Sequence, residues 1–343
     1  MKKSTPLILS ALALAASSAF AADAPVIGLI TKTESNPFFV KMKEGAEAEA
    51  KKLGAKLLSA AGKQDGDTAG QISAMENMVA AGAKTILITS SGDAIVPTIK
   101  KIKAQGVQVI ALDSPVDEAD ALFATNNYKA GELIGAYAKS ALGGKKPVIA
   151  TMDLFPGHPV GAQRHNGFLA GYGLKTLDAK SNELAQPAEV VCMADSYGDA
   201  AKGQTGMENC LQKNSNINVV YAINEPAAAG AYKALKAAGK EKEVVILGVD
   251  GMCSNGVGNV EKGVIAATSM QYPLKMAAMG VAAGVKYAKD GKRQTGYTDT
   301  GVDLVVGKPV AGIKSIDTKT ARGQCWGDPV SYTHLTLPTS DLV

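Results

Sequence analysis

Short apolar runs alternate with amphipathic, alanine-rich stretches along most of the chain. Several runs, such as residues 244–249, are continuously apolar, which is typical of parallel strands covered on both faces. We predict strands at residues 26–31, 55–59, 85–89, 107–113, 147–153, 189–193, 219–223, 244–250, 264–270 and 300–306. We predict helices at residues 37–53, 68–81, 95–105, 129–142, 159–174, 201–212, 226–238 and 273–289. Strand–helix–strand units of this kind build doubly wound parallel sheets.

The pattern forms two blocks that meet near Thr125. A helix and a lone strand follow the second block, which indicates that the chain returns to the first lobe and crosses again. We therefore predict an α/β protein of two doubly wound parallel-sheet lobes, because a chain of this length exceeds one compact core. The predicted crossings lie near Thr125, Gln271 and Thr300, and the lobes are residues 22–125 with 272–299 and residues 126–271 with 300–330.

The two ends of the chain differ from this pattern. Lys2 and Lys3 precede a small apolar run at residues 7–16, and Ala19-Phe20-Ala21 fits a cleavage site. These features predict a signal peptide over residues 1–21 and export to the periplasm. Residues 331–343 have neither helical nor strand period, and we expect a non-native or disordered tail there.

Composition and motifs exclude several classes of function. The net charge is +4 with both signs interspersed, which does not favour nucleic-acid binding. Residues 65–76 have the outline of a calcium loop, but Ala69 stands at a ligand position, so a capped helix start is the better interpretation. His158 and His165 have no third metal ligand nearby in the sequence. Since no dinucleotide fingerprint, P-loop or nucleophile elbow occurs, we predict no cofactor and no metal.

Four cysteines in an exported chain predict disulfides. Their spacing excludes a CxxC redox or zinc pattern, and three pairings are possible. We favour Cys192 with Cys210, because one lies on a predicted strand and the other on the next helix. The remaining pair, Cys253 with Cys325, would then fasten the end of the chain to a loop.

Polar side chains stand at the ends of several predicted strands, where doubly wound sheets bind ligands. They are Asp113, Asn224, Asp250 and Gln271, with Arg164 in the helix that follows Pro159. Carboxylates accept from hydroxyls, a guanidinium donates in a planar fork, and an amide does both. Any one of these residues alone fits a cap or loop role better, but together they predict a site for vicinal hydroxyls.

An aromatic pair follows the first strand. Asn36 fits a helix N-cap and Pro37 the first helical position. Phe38 and Phe39 lie in the first turn, where we expect at least one ring to face the cleft. Phenylalanine is scarce in this chain, and an aromatic face suits the apolar face of a sugar ring.

These motifs resemble the periplasmic sugar-binding proteins of the ribose and galactose type, over roughly residues 24–306. The resemblance is carried by Asn36-Pro37-Phe38-Phe39, Leu112-Asp113, Arg164-His165-Asn166-Gly167-Phe168, Asn224-Glu225, Gly248-Val249-Asp250-Gly251 and Gln271. It implies the type I periplasmic binding protein fold and a sugar between Phe38, Phe39 and the polar residues, with Tyr197 contributed by the second lobe.

Two stretches are more similar to the fructose-binding branch, Thr31-Lys32-Thr33 and Phe155-Pro156-Gly157-His158. Ribose-binding members carry Arg after the aspartate of the fourth strand, whereas this chain has Ser114 after Asp113. Lys32 would supply the missing cation from another direction. We therefore expect fructose, with ribose or another pentose or hexose as alternatives. The implied ligand-binding residues are Lys32, Asn36, Phe38, Phe39, Asp113, Ser114, Arg164, Tyr197, Asn224, Asp250 and Gln271.

The resemblance implies a monomeric binding protein, not an enzyme, that delivers a monosaccharide to an ABC import permease. One alternative is a glycosidase with Asp113 and Asp250 as its paired carboxylates. Another is a sugar sensor for chemotaxis, with a chemoreceptor as partner. A sugar-responsive transcription regulator would need a DNA-binding module where the predicted signal peptide stands.

Overall fold

The computed structural model describes residues 24–327. The predicted signal peptide and tail lie outside the described residues. The strands are β1 Val26–Thr31, β2 Lys56–Ala61, β3 Thr85–Ile88, β4 Gln108–Leu112, β5 Ala121–Ala124, β6 Ile149–Asp153, β7 Val190–Asp195, β8 Val219–Ala222, β9 Val245–Asp250, β10 Ala267–Met270, β11 Gly296–Asp299, β12 Asp303–Val306 and β13 Ile316–Asp317.

The α-helices are α1 Pro37–Leu53, α2 Thr68–Ala80, α3 Val96–Ala104, α4 Asn127–Ala141, α5 Pro159–Tyr172, α6 Ala200–Lys213, α7 Glu225–Ala237, α8 Gly258–Glu261, α9 Pro273–Asp290 and α10 Thr318–Arg322. A 3-10 turn occupies Asp93–Ile95, and a π-helical turn occupies Cys253–Val257. None of the helices within residues 24–327 is both long and apolar enough to cross a lipid bilayer.

The strands form two separate sheets. The first has the order β11-β5-β4-β3-β1-β2, and the second has the order β13-β12-β10-β9-β8-β6-β7. The first sheet is parallel throughout, whereas β12 runs antiparallel to β10 in the second. Apolar clusters fill both faces of each sheet, as continuous apolar strands require. The predicted fold class of two α/β lobes is confirmed.

The chain passes between the sheets three times: after β5, after β10 and after β11. All ten predicted strands and all eight predicted helices are present, with shifted ends. The short elements β5, β11, β13, α8 and α10 were not predicted. They span five residues or fewer, too few to establish a helical or strand period by themselves, and β11 is mostly exposed, so it has no apolar run.

Two cystines lie in different parts of the second lobe. Cys192–Cys210 joins β7 to α6, and Cys253–Cys325 joins the π-helical turn to the end of the described chain. This is the pairing favoured from the sequence.

Helices α4 and α5 pack unusually closely through glycine. A Cβ atom added to Gly131 or Gly135 of α4 would overlap the carbonyl oxygen of Arg164 or Phe168 on α5. Gly167 and Gly171 of α5 meet the backbone of α4 in the same way. Because these contacts are made by backbone, they cannot be relieved by a side-chain rotation, and they fix the distance at which α5 presents Arg164.

We predict that Gly135→Ala lowers the free energy of unfolding by about 2 kcal/mol or more, because overpacking outweighs the gain in helix propensity. The matched control is Gly161→Ala on α5, whose Cβ would meet only side-chain carbons at 3.3 and 3.8 Å. Urea denaturation of the two variants measures the difference. Equal stability of the two variants would contradict the close approach of α4 and α5.

Candidate functional site

A cavity of about 710 Å³ lies between the carboxyl ends of the two sheets. That volume is within the range of small-molecule sites in proteins. Its lining comes from both lobes and includes ten of the eleven predicted ligand-binding residues: Lys32, Asn36, Phe38, Phe39, Asp113, Arg164, Tyr197, Asn224, Asp250 and Gln271. Ser114 does not line it.

Asp113 follows β4 directly and enters the cavity from the first lobe. Its φ of 61° lies in the left-handed region, which non-glycine residues seldom adopt. Burial raises the pKa of its carboxyl, and the nearby charges of Lys32 and Arg164 oppose that rise. The Ser114 hydroxyl donates to Asp113 Oδ2 at 3.1 Å. The short side chain of Ser114 is thus turned to the neighbouring carboxylate, and contact of Ser114 with a ligand stays a prediction.

Asp250 ends β9 and enters the cavity from the second lobe. Gln271 Nε2 donates to Asp250 Oδ1 at 2.7 Å, and Arg164 Nη1 lies 3.5 Å from the same oxygen. Burial raises the pKa of Asp250 to about 7, although Arg164 and Gln271 favour the ionised form. The carboxyl can therefore exchange a proton near neutral pH.

Arg164 is held by hydrogen bonds to two residues of the second lobe. Its Nε donates to Asn127 Oδ1 at 2.8 Å, and its Nη1 donates to the Ile223 carbonyl at 2.9 Å. The residue is 4% exposed. Since these bonds fix the plane of the guanidinium, its orientation toward the cavity is set before any ligand enters.

Lys32 makes a contact between the two lobes. Its Nζ lies 3.1 Å from Nε2 of His158, the residue before α5, and 3.5 Å from Asp65 Oδ2. Burial, with the charges of Lys32 and Arg164, lowers the pKa of His158 to about 2. The imidazole is therefore neutral and accepts a hydrogen bond from the Lys32 ammonium.

Phe38 and Phe39 both line the cavity, and both also pack in the apolar core of the first lobe. Their ring planes are 82° apart with centroids 5.4 Å apart, so one ring presents its edge where the other presents its face. Tyr197 is 51% exposed and stacks on Phe155, and the Lys202 ammonium lies 3.9 Å from its ring centroid.

Two predicted ligand residues also cap helices. Asn36 Oδ1 accepts from the Phe38 amide at 3.0 Å, and Asn224 Oδ1 accepts from the Ala227 amide at 3.0 Å. Asn224 Nδ2 donates to the Gly198 carbonyl at 3.0 Å. The amide of Asn224 thus uses both of its ends within the protein, and contact of either residue with a ligand stays a prediction.

Asp65 and His158 line the cavity but were not among the predicted site residues. The sequence assigned His158 to a loop and Asp65 to a possible calcium loop; in the structure, neighbouring Asp67 caps α2 through a bond from the Gly70 amide. Within residues 24–327, no cluster of three or more His, Cys, Asp and Glu side chains is arranged to hold a metal.

Three buried polar atoms on lining residues have no hydrogen-bond partner within the described chain: Asp65 Oδ1, His158 Nδ1 and Gln271 Oε1. With Nε2 of neutral His158 accepting from Lys32, Nδ1 carries the proton and is a donor. Unpaired buried polar groups are costly. The lining therefore combines unused acceptors and a donor, which suits a ligand with several hydroxyl groups.

Residues 27–293 match a family model described as a periplasmic binding protein domain. The chain is 32% identical over 302 residues to the ribose import binding protein of Salmonella typhimurium, covering 87% of this chain and 96% of that protein. It is 30% identical over 286 residues to the D-allose-binding periplasmic protein of Escherichia coli, covering 80% and 88%. The crystal structure of an ABC transporter periplasmic solute binding protein from Actinobacillus succinogenes, with bound D-allose, has a TM-score of 0.74 at 24% identity, covering 87% and 99%. That likeness shows a shared fold.

We predict that the free energy of unfolding of the ligand-free protein falls as the pH rises from 6.5 to 8. The pKa of Asp250 is about 7 and that of Glu225 about 8 in the fold, above their ordinary values of 3.8 and 4.5. The folded state thus keeps protons that the unfolded state has lost, and each such proton contributes at most roughly 1.4 kcal/mol per pH unit. His158 has the opposite effect, which fades from the lower end of this window upward because its ordinary pKa is 6.5, and it offsets only part of the contribution of the two carboxyls.

Urea denaturation at several pH values measures this slope. Asp250→Asn should flatten it, whereas Asp117→Asn, at an exposed carboxylate, should leave it unchanged. A free energy of unfolding that increases with pH in this window would show that the pKa values of the two buried carboxyls are not raised.

Proposed function

Because the chain belongs to the periplasmic binding protein family, we propose that it binds a monosaccharide between its two lobes and delivers it to an ABC import permease. The relative in Salmonella typhimurium is named as a ribose import binding protein, and the relative in Escherichia coli as a D-allose-binding protein. Binding would close the lobes about the crossings, a motion available to two domains joined by a hinge.

One observation supports sugar binding most directly. Charged side chains from both lobes, among them Asp113 and Arg164, are buried around one cavity whose volume is about 710 Å³. Burying charge is costly unless it is paired. Sugar hydroxyls donate to carboxylates and accept from a guanidinium, so they would complete this set without adding charge.

We propose fructose as the preferred sugar. The two stretches that resemble fructose-binding members, residues 31–33 and 155–158, meet across the cleft through Lys32 and His158. This contact supports a joint role for them in recognition. A ketohexose would offer its hydroxyls to Lys32 and to the unpaired atoms of Asp65 and His158, in addition to those bound by Asp113, Arg164 and Asp250.

The cellular setting is part of the same proposal. We propose that the protein acts in the periplasm as a monomer, with a chemoreceptor as an additional partner; the predicted export signal and the name of the D-allose-binding periplasmic protein support the periplasmic location. The alternative of a glycosidase acting through Asp113 and Asp250 is not favoured, since the matched relatives are sugar-binding and import-binding proteins.

We predict that fructose raises the melting temperature more than ribose, allose, xylose, galactose or glucose in a thermal-shift screen. A ligand at about one hundred times its Kd stabilises the folded state by about 2.7 kcal/mol. We expect a Kd near micromolar or below, equivalent to about −8 kcal/mol. A larger shift with ribose or allose would overturn the choice of fructose, and no shift with any sugar would overturn the proposal of sugar binding.

We predict that Asp113→Ala weakens binding of the preferred sugar by about 2–4 kcal/mol, because sugar hydroxyls lose a charged acceptor. Within the described chain, the only side chain that donates to this carboxylate is Ser114, so the cost to the fold should be limited to the strain of alanine at a φ of 61°. Isothermal titration calorimetry measures the change, with Asp117→Ala, an exposed carboxylate in the same loop, as the control. A change below twofold would exclude Asp113 from the site.

A further inference from the structure

We propose that Trp326, which does not line the cavity, is a positioning residue for the site: its indole holds the backbone at Asp250 and Gln271. This inference rests on the proposed sugar binding for its affinity readout. The indole Nε1 donates to the Gln271 carbonyl at 2.8 Å and to the Asp250 carbonyl at 3.1 Å. Trp326 is 3% exposed, so solvent does not compete effectively for these bonds.

The two carbonyls belong to a backbone that needs support. Asp250 has a φ of 142°, a conformation that L-residues rarely adopt and that persists only where surrounding contacts enforce it. The Gln271 amide donates to the Asp250 carbonyl at 3.0 Å, and the two side chains are bonded at 2.7 Å. Trp326 therefore bonds the backbone of both residues, Asp250 and Gln271, whose paired side chains place the Asp250 carboxylate in the cavity.

The same ring reaches the first lobe. Its centroid lies 5.3 Å from that of Phe38, with the planes 70° apart, and both residues belong to one apolar cluster. One side chain thus contacts a cavity residue of each lobe and the crossing at Gln271. A shift of Trp326 would move the aromatic and the acidic sides of the site relative to each other.

Trp326 is itself anchored to the second lobe by its neighbours. Cys325 is bonded to Cys253, and the Cys253 amide donates to the Trp326 carbonyl at 2.8 Å. The disulfide joins residues separated by 72 positions, so it brings a distant segment to the strand end at Asp250. Loss of the Cys253–Cys325 disulfide should therefore have the same effect on the site as loss of the indole, but a smaller one.

The test is Trp326→Phe, which keeps an aromatic ring and removes the N–H donor. We expect sugar affinity to fall about tenfold, the size of effect typical of losing a buried hydrogen-bond donor. Because Trp326 acts through Asp250, the effects of Trp326→Phe and Asp250→Asn should be non-additive, whereas those of Trp326→Phe and Asp113→Asn should add. Unchanged affinity, or equal additivity with both aspartates, would overturn the proposal.

A ligand-independent measurement separates this inference from the proposed function. In the sugar-free protein, hydrogen exchange over residues 250–252 and 271–272 should be faster in Trp326→Phe than in the unmodified chain, with residues 85–88 of the first sheet unchanged. Equal exchange at the Gln271 amide would refute the positioning role even if no sugar bound. Absence of sugar binding by the unmodified protein would instead refute the proposed function.

If Trp326→Phe does not fold, two double variants, each lacking one of the two disulfides, test the same proposal. Cys253→Ser with Cys325→Ser should lower sugar affinity and speed exchange at Gln271. Cys192→Ser with Cys210→Ser removes the other cystine of the same lobe, on β7, which β6 and β8 separate from β9, and should lower stability with affinity unchanged. Equal affinities in the two double variants, or unaltered exchange at Gln271, would overturn the role given to the Trp326 segment.

Discussion

Arg164 is the charge on which the buried acidic groups of the cavity depend. Asp250 and Asp113 are both buried, and burial raises the pKa of each, whereas Arg164 favours the ionised form of both. Removing a buried cation would leave these carboxyls with little to offset desolvation except Lys32 and neutral donors. The backbone contacts between α4 and α5 matter for the same reason, since they bring Asn127 within 2.8 Å of Arg164 Nε.

The electrostatics also explain why a neutral polyhydroxylated ligand suits this cavity. Lys32 and Arg164 already lie around the cavity with Asp65, Asp113 and Asp250, so a neutral ligand can bond groups of both signs without adding charge. Hydroxyls can donate and accept, and in a closed cavity each bond to a charged group is stronger than in water. Glu225 lies just behind, where its two side-chain oxygens accept from the amides of Gly251 and Met252 and from the Thr268 hydroxyl. It therefore stabilises the turn after Asp250 without lining the cavity.

The ends of helices and strands could be predicted from the sequence because a few neighbouring residues determine them. Asn36 and Pro37 mark the start of α1, and the apolar run before Asp250 marks the end of β9. The polar residues that lie at these ends converge because the carboxyl ends of parallel strands share an edge. Such inferences need only a few neighbouring residues and the general rule for doubly wound sheets.

Contacts between distant segments could not be predicted in the same way. Lys32 and His158 are 126 residues apart, and Trp326 reaches Asp250 over 76 residues. Neither lysine next to a strand nor tryptophan near a chain end has a pattern that identifies its partner. Ser114 is expected at the site because it stands where ribose-binding members carry Arg; its hydroxyl bonds Asp113, and its contact with a ligand stays a prediction.

The crossings explain how binding and lobe angle can be coupled. Asn127 follows the first crossing directly and bonds Arg164, and Gln271 lies in the second and bonds Asp250. The first and third crossings are tied together, since the Asn126 amide donates to Asp299 Oδ1 and the Thr125 hydroxyl to the Gly301 carbonyl. A change in lobe angle would therefore pivot beside these residues and move Arg164 and Asp250 of the second lobe relative to Asp113 of the first. A ligand that bonds all three side chains would have a different free energy at each lobe angle, which is the condition for ligand-driven closure.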